Sequence, residues 1–365
     1  MTVMTFGKAD DPRRAEWPFR LIRLAFSRSR TLRLLRSTMT LRALLSRQLF
    51  DVVYVGHWRS CAIPLRLAMI SRGRRPRIVQ AVHGSEVQYL QPGAGSSFLH
   101  RTLFKWATRP VARFVALGSY QAPLLKSLGV ASERIYVSPE GVHAEPFLRA
   151  DASRVTEIRS RLGLTERPVL LTVGRMVERK GHDVVLKALP RVLDKAPDIA
   201  YLIVGTGPQE EQLRHLAAEL HLPSRAVIFC GKVPSEELPF YYHACDIFVM
   251  PNRIVGSDVE GFGIVFLEAA AAGKPAIGGR SGGAGDAIVD GVTGLLVDPT
   301  SPAALADSVI RLLDDAANAQ RLGAAGRDRV LSSYQYPQIA SRIRQFALLG
   351  DMALAQARRG PAQSP

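Results

Sequence analysis

Glu260 and Glu268 stand eight residues apart, with Gly261-Phe262-Gly263 between them. That spacing puts Glu260 in a loop and Glu268 about a turn into a helix starting near Ile264, so both carboxylates can face one cleft. Paired acids suit general acid–base work or hydroxyl recognition on a sugar or ribose. Residues 263–272 are otherwise apolar, so an ionised Glu268 needs a hydrogen-bond partner. A second group is Gly174-Arg175 followed by Arg179-Lys180-Gly181. Gly174 ends a strand, and Asp183 falls in the first turn of the next helix. Loop cations beside a helix N-terminus make an anion site suited to a diphosphate, although a solvated basic loop fits the spacing too.

Three weaker segments accompany them. Ile203-Val-Gly-Thr-Gly-Pro208 has half of a dinucleotide fingerprint and lacks its third glycine, which fits a tight turn letting backbone approach a ligand. The dense glycines of Gly278–Gly285 can form an anion-binding nest or a flexible loop. His83 follows an apolar run in Val82-His-Gly-Ser-Glu86. A lone histidine is more often structural, but the carboxyl end of a parallel strand is where ligands sit.

The elements that must position these residues alternate along the chain. Short apolar runs at 51–55, 77–82, 113–117 and 134–137 read as strands separated by helical stretches. A second series follows at 169–173, 200–204, 226–229, 246–250, 275–277 and 294–297, with helices at 184–195, 210–220 and 303–313. Two parallel-sheet α/β domains in tandem are implied. The expected division is a basic, atypical segment 1–48, a first domain 49–150, a linker 151–166, a second domain 167–335 and a C-terminal helix and tail 336–365. Residues 20–47 read as one or two basic amphipathic helices broken near 27–31, and 356–365 as a frayed tail.

With 365 residues, the chain exceeds one ordinary core. A hydrophobic fraction of 47% with 22% charged residues excludes wholesale disorder. No stretch approaches the roughly 18 consecutive apolar residues of a membrane span, and the N-terminus does not read as a signal peptide. Three scattered cysteines, Cys61, Cys230 and Cys245, argue against a disulfide framework or zinc site and fit a reducing cytosol. The net charge of +16 lies in residues 1–150, with 24 Lys and Arg against 8 Asp and Glu; the remainder is balanced. Such a half calls for an anionic partner, namely nucleic acid, an anionic membrane or a phosphorylated substrate, unless it only reflects an arginine-rich composition.

Taken together, Gly174-Arg175…Arg179-Lys180-Gly181, Val204-Gly-Thr-Gly207, Phe229-Cys-Gly-Lys232, Ala244-Cys-Asp-Ile-Phe248, Glu260-x7-Glu268 and Ser281-Gly-Gly283 resemble family 4 of the retaining glycosyltransferases. The resemblance is specific over about 168–335, looser over 50–150 and absent before 48. It is strongest to the phosphatidylinositol mannoside mannosyltransferases, which use GDP-mannose and a membrane lipid acceptor. The implied fold is GT-B, two Rossmann-like parallel-sheet domains facing a central cleft. Arg175 and Lys180 would bind the donor diphosphate and stabilise the leaving nucleotide, as electrostatic catalysis in place of a metal. Glu260 would lie near the donor sugar and Glu268 would hold the ribose. Gly174, Gly263, Ile264 and Val265 would meet sugar and phosphates, Gly231, Lys232 and Val233 would border the base, and His83 would face the donor sugar. No metal or other cofactor is expected. The expected partners are a nucleotide-sugar donor, a lipid-linked or glycan acceptor and the inner face of an anionic membrane, with no nucleic acid.

Several positions depart from the family pattern. No opening strand or Gly-Gly loop is evident in 1–48, Gly285-Asp286 replaces the usual Pro-Glu, and His143 replaces an aspartate. The competing expectation is a catalytically silent homologue acting as a partner or sugar-binding protein. The intact Arg175/Lys180 and Glu260/Glu268 set argues against it.

Overall fold

The computed structural model of the chain describes residues 2–6, 20–24, 27–70, 75–91 and 98–348. Two main parallel sheets organise it. The first runs β3 (Val52–Val55), β4 (Arg77–Val82), β5 (Val111–Ala116) and β6 (Ile135–Val137) in spatial order. The second contains β7 (Val169–Val173), β8 (Ala200–Val204), β9 (Val227–Gly231), β10 (Ile247–Met250), β11 (Ala276–Gly279) and β12 (Leu295–Val297). Its order is β12-β11-β10-β7-β8-β9, every pairing parallel. Central strands such as β7 and β8 are buried at every residue. Helices cover both faces, so these strands read as continuous apolar runs instead of alternating ones.

The strand order fixes where a ligand can enter. The chain builds β7, β8 and β9 outward on one side, then crosses back to place β10 on the other side of β7. The loops after β7 and β10 therefore diverge, and the crevice between them is the switch point of the sheet.

The N-terminal expectation is corrected. Thr2–Phe6 is a strand, β1, so the chain does open with one. Arg20–Leu24 is a second strand, β2, paired parallel to it with Thr2 opposite Arg20. Only the later part of 20–47 is helical, over Arg30–Arg47, with Ser29 capping its first turn through the Leu32 amide. Leu21, Ile22 and Leu24 fit a strand as well as a helix, and pairing with β1 decides between them. The segment expected to bear the Gly-Gly loop is partly outside the described residues, and the tail 356–365 is wholly outside them.

The expected linker carries a helix, Ala152–Arg161, capped by Asp151 and anchored by buried Ile158. The last helix, Tyr336–Leu348, returns to the first sheet. Phe346 stacks on Tyr136 with ring centroids 4.7 Å apart, and Arg77 Nη1 donates to the Ala347 and Leu348 carbonyls at 3.0 Å. Phe346 and Ala347 cover Val79 and Val115, closing the back face of that sheet. Burying one such phenylalanine contributes on the order of 1.5–3 kcal/mol.

Candidate functional site

The loop after β7 starts at Gly174 and ends in a tight turn, Glu178–Lys180, that feeds the helix His182–Leu193. Gly181 joins them with φ of +76°, and a Cβ there would lie 2.3 Å from the Pro251 carbonyl oxygen. Glycine is therefore required both for the left-handed backbone and for contact with the loop after β10. That contact brings the two halves of the motif set together. The Lys180 ammonium lies 2.6 Å from Glu260 Oε2, and the Arg179 guanidinium binds the same oxygen. Arg179 Nε also lies 2.9 Å from Asp258 Oδ1, an ion pair that lacks hydrogen-bond alignment. Lys180 is 7% exposed. Burial pushes its pKa down, Glu260 pushes it back up, Arg179 adds to the lowering and Asp258 opposes it. Arg175, in the same loop, is exposed and has no acidic partner among the described residues.

Glu268 sits where its spacing placed it, on the helix Ile264–Ala271 that Gly263 opens with φ of +92°. Its required partner is Tyr242, whose hydroxyl donates to Oε2 at 2.6 Å. Burial raises the Glu268 pKa, while the Tyr242 hydrogen bond and Lys180 lower it. Ile264 and Val265 are half-buried beside it. Gly231 ends β9 with φ of +66°, its carbonyl accepting from the Gly205 amide at 2.8 Å; Lys232 beyond it is exposed and Val233 packs against the core.

From the first sheet, His83 directly follows β4. Its Nε2 lies 3.1 Å from the Gly56 carbonyl oxygen and its Nδ1 3.9 Å from Glu140. The facing loop comes close, since a Cβ on Gly261 would lie 2.8 Å from the His83 carbonyl oxygen. Buried Gln121 donates to the Gly261 and His83 carbonyls at 3.1 and 3.4 Å. Asp286 accepts from the Ser119 amide across the cleft at 2.7 Å. Thus His83 and the loop that carries Glu260 approach each other between the two sheets. Glu140 stands between them: burial raises its pKa, the His83 ring opposes this and Glu260 adds to it.

The glycine-rich segments have a packing use. A Cβ on Gly205 would lie 2.0 Å from the Gly174 carbonyl oxygen, and one on Gly283 would lie 2.1 Å from that of Gly261. Gly279 meets the Asn252 carbonyl oxygen in the same way, at 2.0 Å. The backbone that these glycines approach is the protein's own, and the contact fixes the loops that carry Arg175 and Glu260. Arg179 was legible only as loop charge, and Asp258 only as a second acid two residues before Glu260. Tyr242 gave no signal, because it arrives from another helix, Leu238–Ala244.

Half-buried acids, clustered cations and a switch-point crevice can bind a polyhydroxylated anion such as a sugar diphosphate. Comparison with known proteins shows the family. The family profile described as "Glycosyl transferases group 1" matches residues 154–329, and that described as "Glycosyltransferase Family 4" matches residues 1–146. The GDP-mannose-dependent alpha-(1-6)-phosphatidylinositol monomannoside mannosyltransferase of Mycolicibacterium smegmatis is 36% identical over 79% of this chain and 75% of its own length. That of Mycobacterium tuberculosis is 38% identical over 81% and 76%. The chain belongs to glycosyltransferase family 4. Among solved structures, HepE of Anabaena in complex with UDP-glucose superposes with a TM-score of 0.73 at 19% identity, over 89% of this chain and 85% of its own. This family 4 chain therefore has the GT-B fold, and its matches to the family profiles span both sheets.

Proposed function

We propose that this family 4 glycosyltransferase moves mannose, with retention at the anomeric carbon, from a GDP-linked donor to a lipid-borne acceptor at the cytosolic face of an anionic membrane. The observation that carries the reading is the Lys180–Glu260–Arg179 cluster at the crevice between the loops after β7 and β10. Arg175 and Lys180 would take the donor diphosphate and hold the charge that develops on the leaving nucleotide. Glu260 would sit by the sugar and Glu268 would accept from the ribose hydroxyls, its second carboxylate oxygen already fixed by Tyr242. His83 would meet the sugar from the opposite sheet. Gly231, Lys232 and Val233 would border the base. The relatives' use of GDP-mannose supports the donor, and their phosphatidylinositol mannoside acceptor supports a lipid.

The membrane is supported by the helices of the first unit. No described helix is long and apolar enough to cross a bilayer. The helix Arg30–Arg47 instead exposes Leu35 and Met39, and the helix Phe98–Thr108 exposes Phe98 and Leu99. Both pack against the short helix Ile63–Ala68. None of the three contains an acidic residue. Cations mixed with exposed apolar side chains suit an anionic lipid surface better than nucleic acid.

The donor is tested by thermal unfolding with GDP, GDP-mannose, UDP, UDP-glucose and ADP. A ligand at a hundredfold excess over its dissociation constant stabilises the folded state by about 2.7 kcal/mol. A rise in midpoint with GDP and GDP-mannose is expected. A rise with UDP compounds alone would replace the base, and no rise with any nucleotide would overturn the donor site.

A further inference from the structure

Arg179 is placed unlike the other cations of the site. Lys180 and Arg175 belong to the proposed diphosphate site, whereas the Arg179 guanidinium is occupied by two carboxylates of a single segment. Asp258, Val259 and Glu260 alternate, with Val259 buried between the two acids, so both acids can grip one guanidinium. Asp258 is itself held in a tight reversal, its amide and carbonyl bonded to those of Val255 at 2.9 and 3.0 Å. A second arginine secures the same loop. Arg253 binds Asp183 with two hydrogen bonds of 2.8 and 3.1 Å, and its amide donates to the Arg179 carbonyl at 2.8 Å. The sequence Lys180–Glu260–Arg179–Asp258 is therefore a chain of alternating charge, anchored at its outer end by an acid that is 59% exposed.

We infer that Arg179, ion-paired to Asp258, is a positioning residue that shares Glu260 with Lys180 and so keeps Lys180 available to the donor diphosphate. Without Arg179, Glu260 has only Lys180 to pair with, and the ion pair competes directly with the incoming phosphates. Without Asp258, Arg179 draws more strongly on Glu260 and leaves Lys180 less compensated. The inference rests on the donor-site reading above, but it concerns how the site is charged before any donor arrives.

The groups that face the Lys180 ammonium are Glu260, Arg179 and Asp258 on the cleft side. Glu268 reaches it from the helix Ile264–Ala271 and His182 from the helix that follows Gly181. Among them Arg179 disfavours the Lys180 charge and Asp258 favours it. The test is therefore a pair of opposite substitutions. Lys180 is titrated in the ligand-free full chain by NMR of isotope-labelled lysine, its signal assigned by comparison with Lys180→Arg. Its midpoint should rise in Arg179→Gln and fall in Asp258→Asn. In transfer assays the alkaline limb of the rate should move the same way. Arg179→Gln should also raise the donor KM on the order of 10-fold with a smaller change in kcat, and Arg179→Lys should restore only part of it. Midpoints that stay put, or that move together, would overturn the inference, whatever happens to thermal stability. Should Arg179→Gln not fold, the exposed Asp258→Asn alone decides by the direction of its shift. Because the titration needs no nucleotide, a failure of the donor reading is seen separately, as absence of GDP binding to the unsubstituted chain.

Discussion

Lys180 is a buried charge and Glu268 a half-buried one, and their loss should be felt differently. Lys180→Ala leaves Glu260 still bound to Arg179, so the remaining carboxylate is not orphaned and the fold should hold. Transfer should fall about 100- to 1,000-fold, the range for removing one preorganised partner of a developing charge, and GDP affinity should weaken. Glu268 has a pKa raised above its unfolded value, chiefly by burial. Its folded form binds the proton more tightly, so stability is greatest at low pH and declines as pH rises from the unfolded pKa through the folded one. Glu268→Gln removes that penalty and keeps an acceptor for Tyr242. The ligand-free midpoint at neutral pH should therefore stay level or rise, while the donor KM increases. A lower midpoint with unchanged donor KM would mean that Glu268 is a packing residue and not the ribose ligand. This opposition of stability and binding is the mark of a charge kept buried for a ligand.

At the scale of elements, the loops matter more than the strands. Gly283 has ordinary backbone angles, but a Cβ would come within 2.1 Å of the Gly261 carbonyl oxygen, whereas nothing lies within 4 Å of one on Gly285. Gly283→Ala should push back the loop that carries Glu260, lowering both melting midpoint and transfer, and Gly285→Ala should change stability by less than about 0.5 kcal/mol. Equal effects in the two variants would remove the packing role. The same contrast explains what could be read in advance. The strands of both main sheets were legible, because buried parallel strands are short apolar runs between breakers, and their ends were displaced by only a few residues. Gly263 opening a helix that carries Glu268 was legible from spacing. The strand at Arg20–Leu24 was not, since its apolar residues suit either state and its partner, Thr2–Phe6, lies far back along the chain. Nor could local pattern show which backbone the glycines of Gly278–Gly285 approach, a matter of tertiary contact. Tyr242 reaches Glu268 from another helix, and Arg179 meets Asp258 and Glu260 from the loop after β7, pairings that periodicity does not reveal.

At the scale of the molecule, the two units have different charge and are joined at several points. Asp286 and Gln121 bridge the cleft near the site, and the helix Tyr336–Leu348 ties the end of the second unit back to the first through Phe346 and Arg77. Under the proposed function, these ties would link the acid-free helices to the crevice, so that docking on a lipid surface would bring a lipid-borne acceptor towards the donor. Each basic residue near an anionic surface contributes roughly 1 kcal/mol, falling with salt, and exposed apolar side chains add a salt-independent part. Leu35 and Met39 are 54% and 62% exposed, so replacing them costs the core little. The double variant Leu35→Glu/Met39→Glu should therefore melt like the parent, bind GDP like the parent and float poorly with anionic vesicles. The parent should float with anionic but not neutral vesicles and be released by raised salt. Equal flotation of the parent with both kinds of vesicle would refute electrostatic docking, and an unimpaired double variant would place the contact on another face. Transfer to a soluble acceptor should survive the double substitution, because the cluster around Lys180 lies in the second unit; loss of transfer to a membrane-borne acceptor alone would locate the defect in docking.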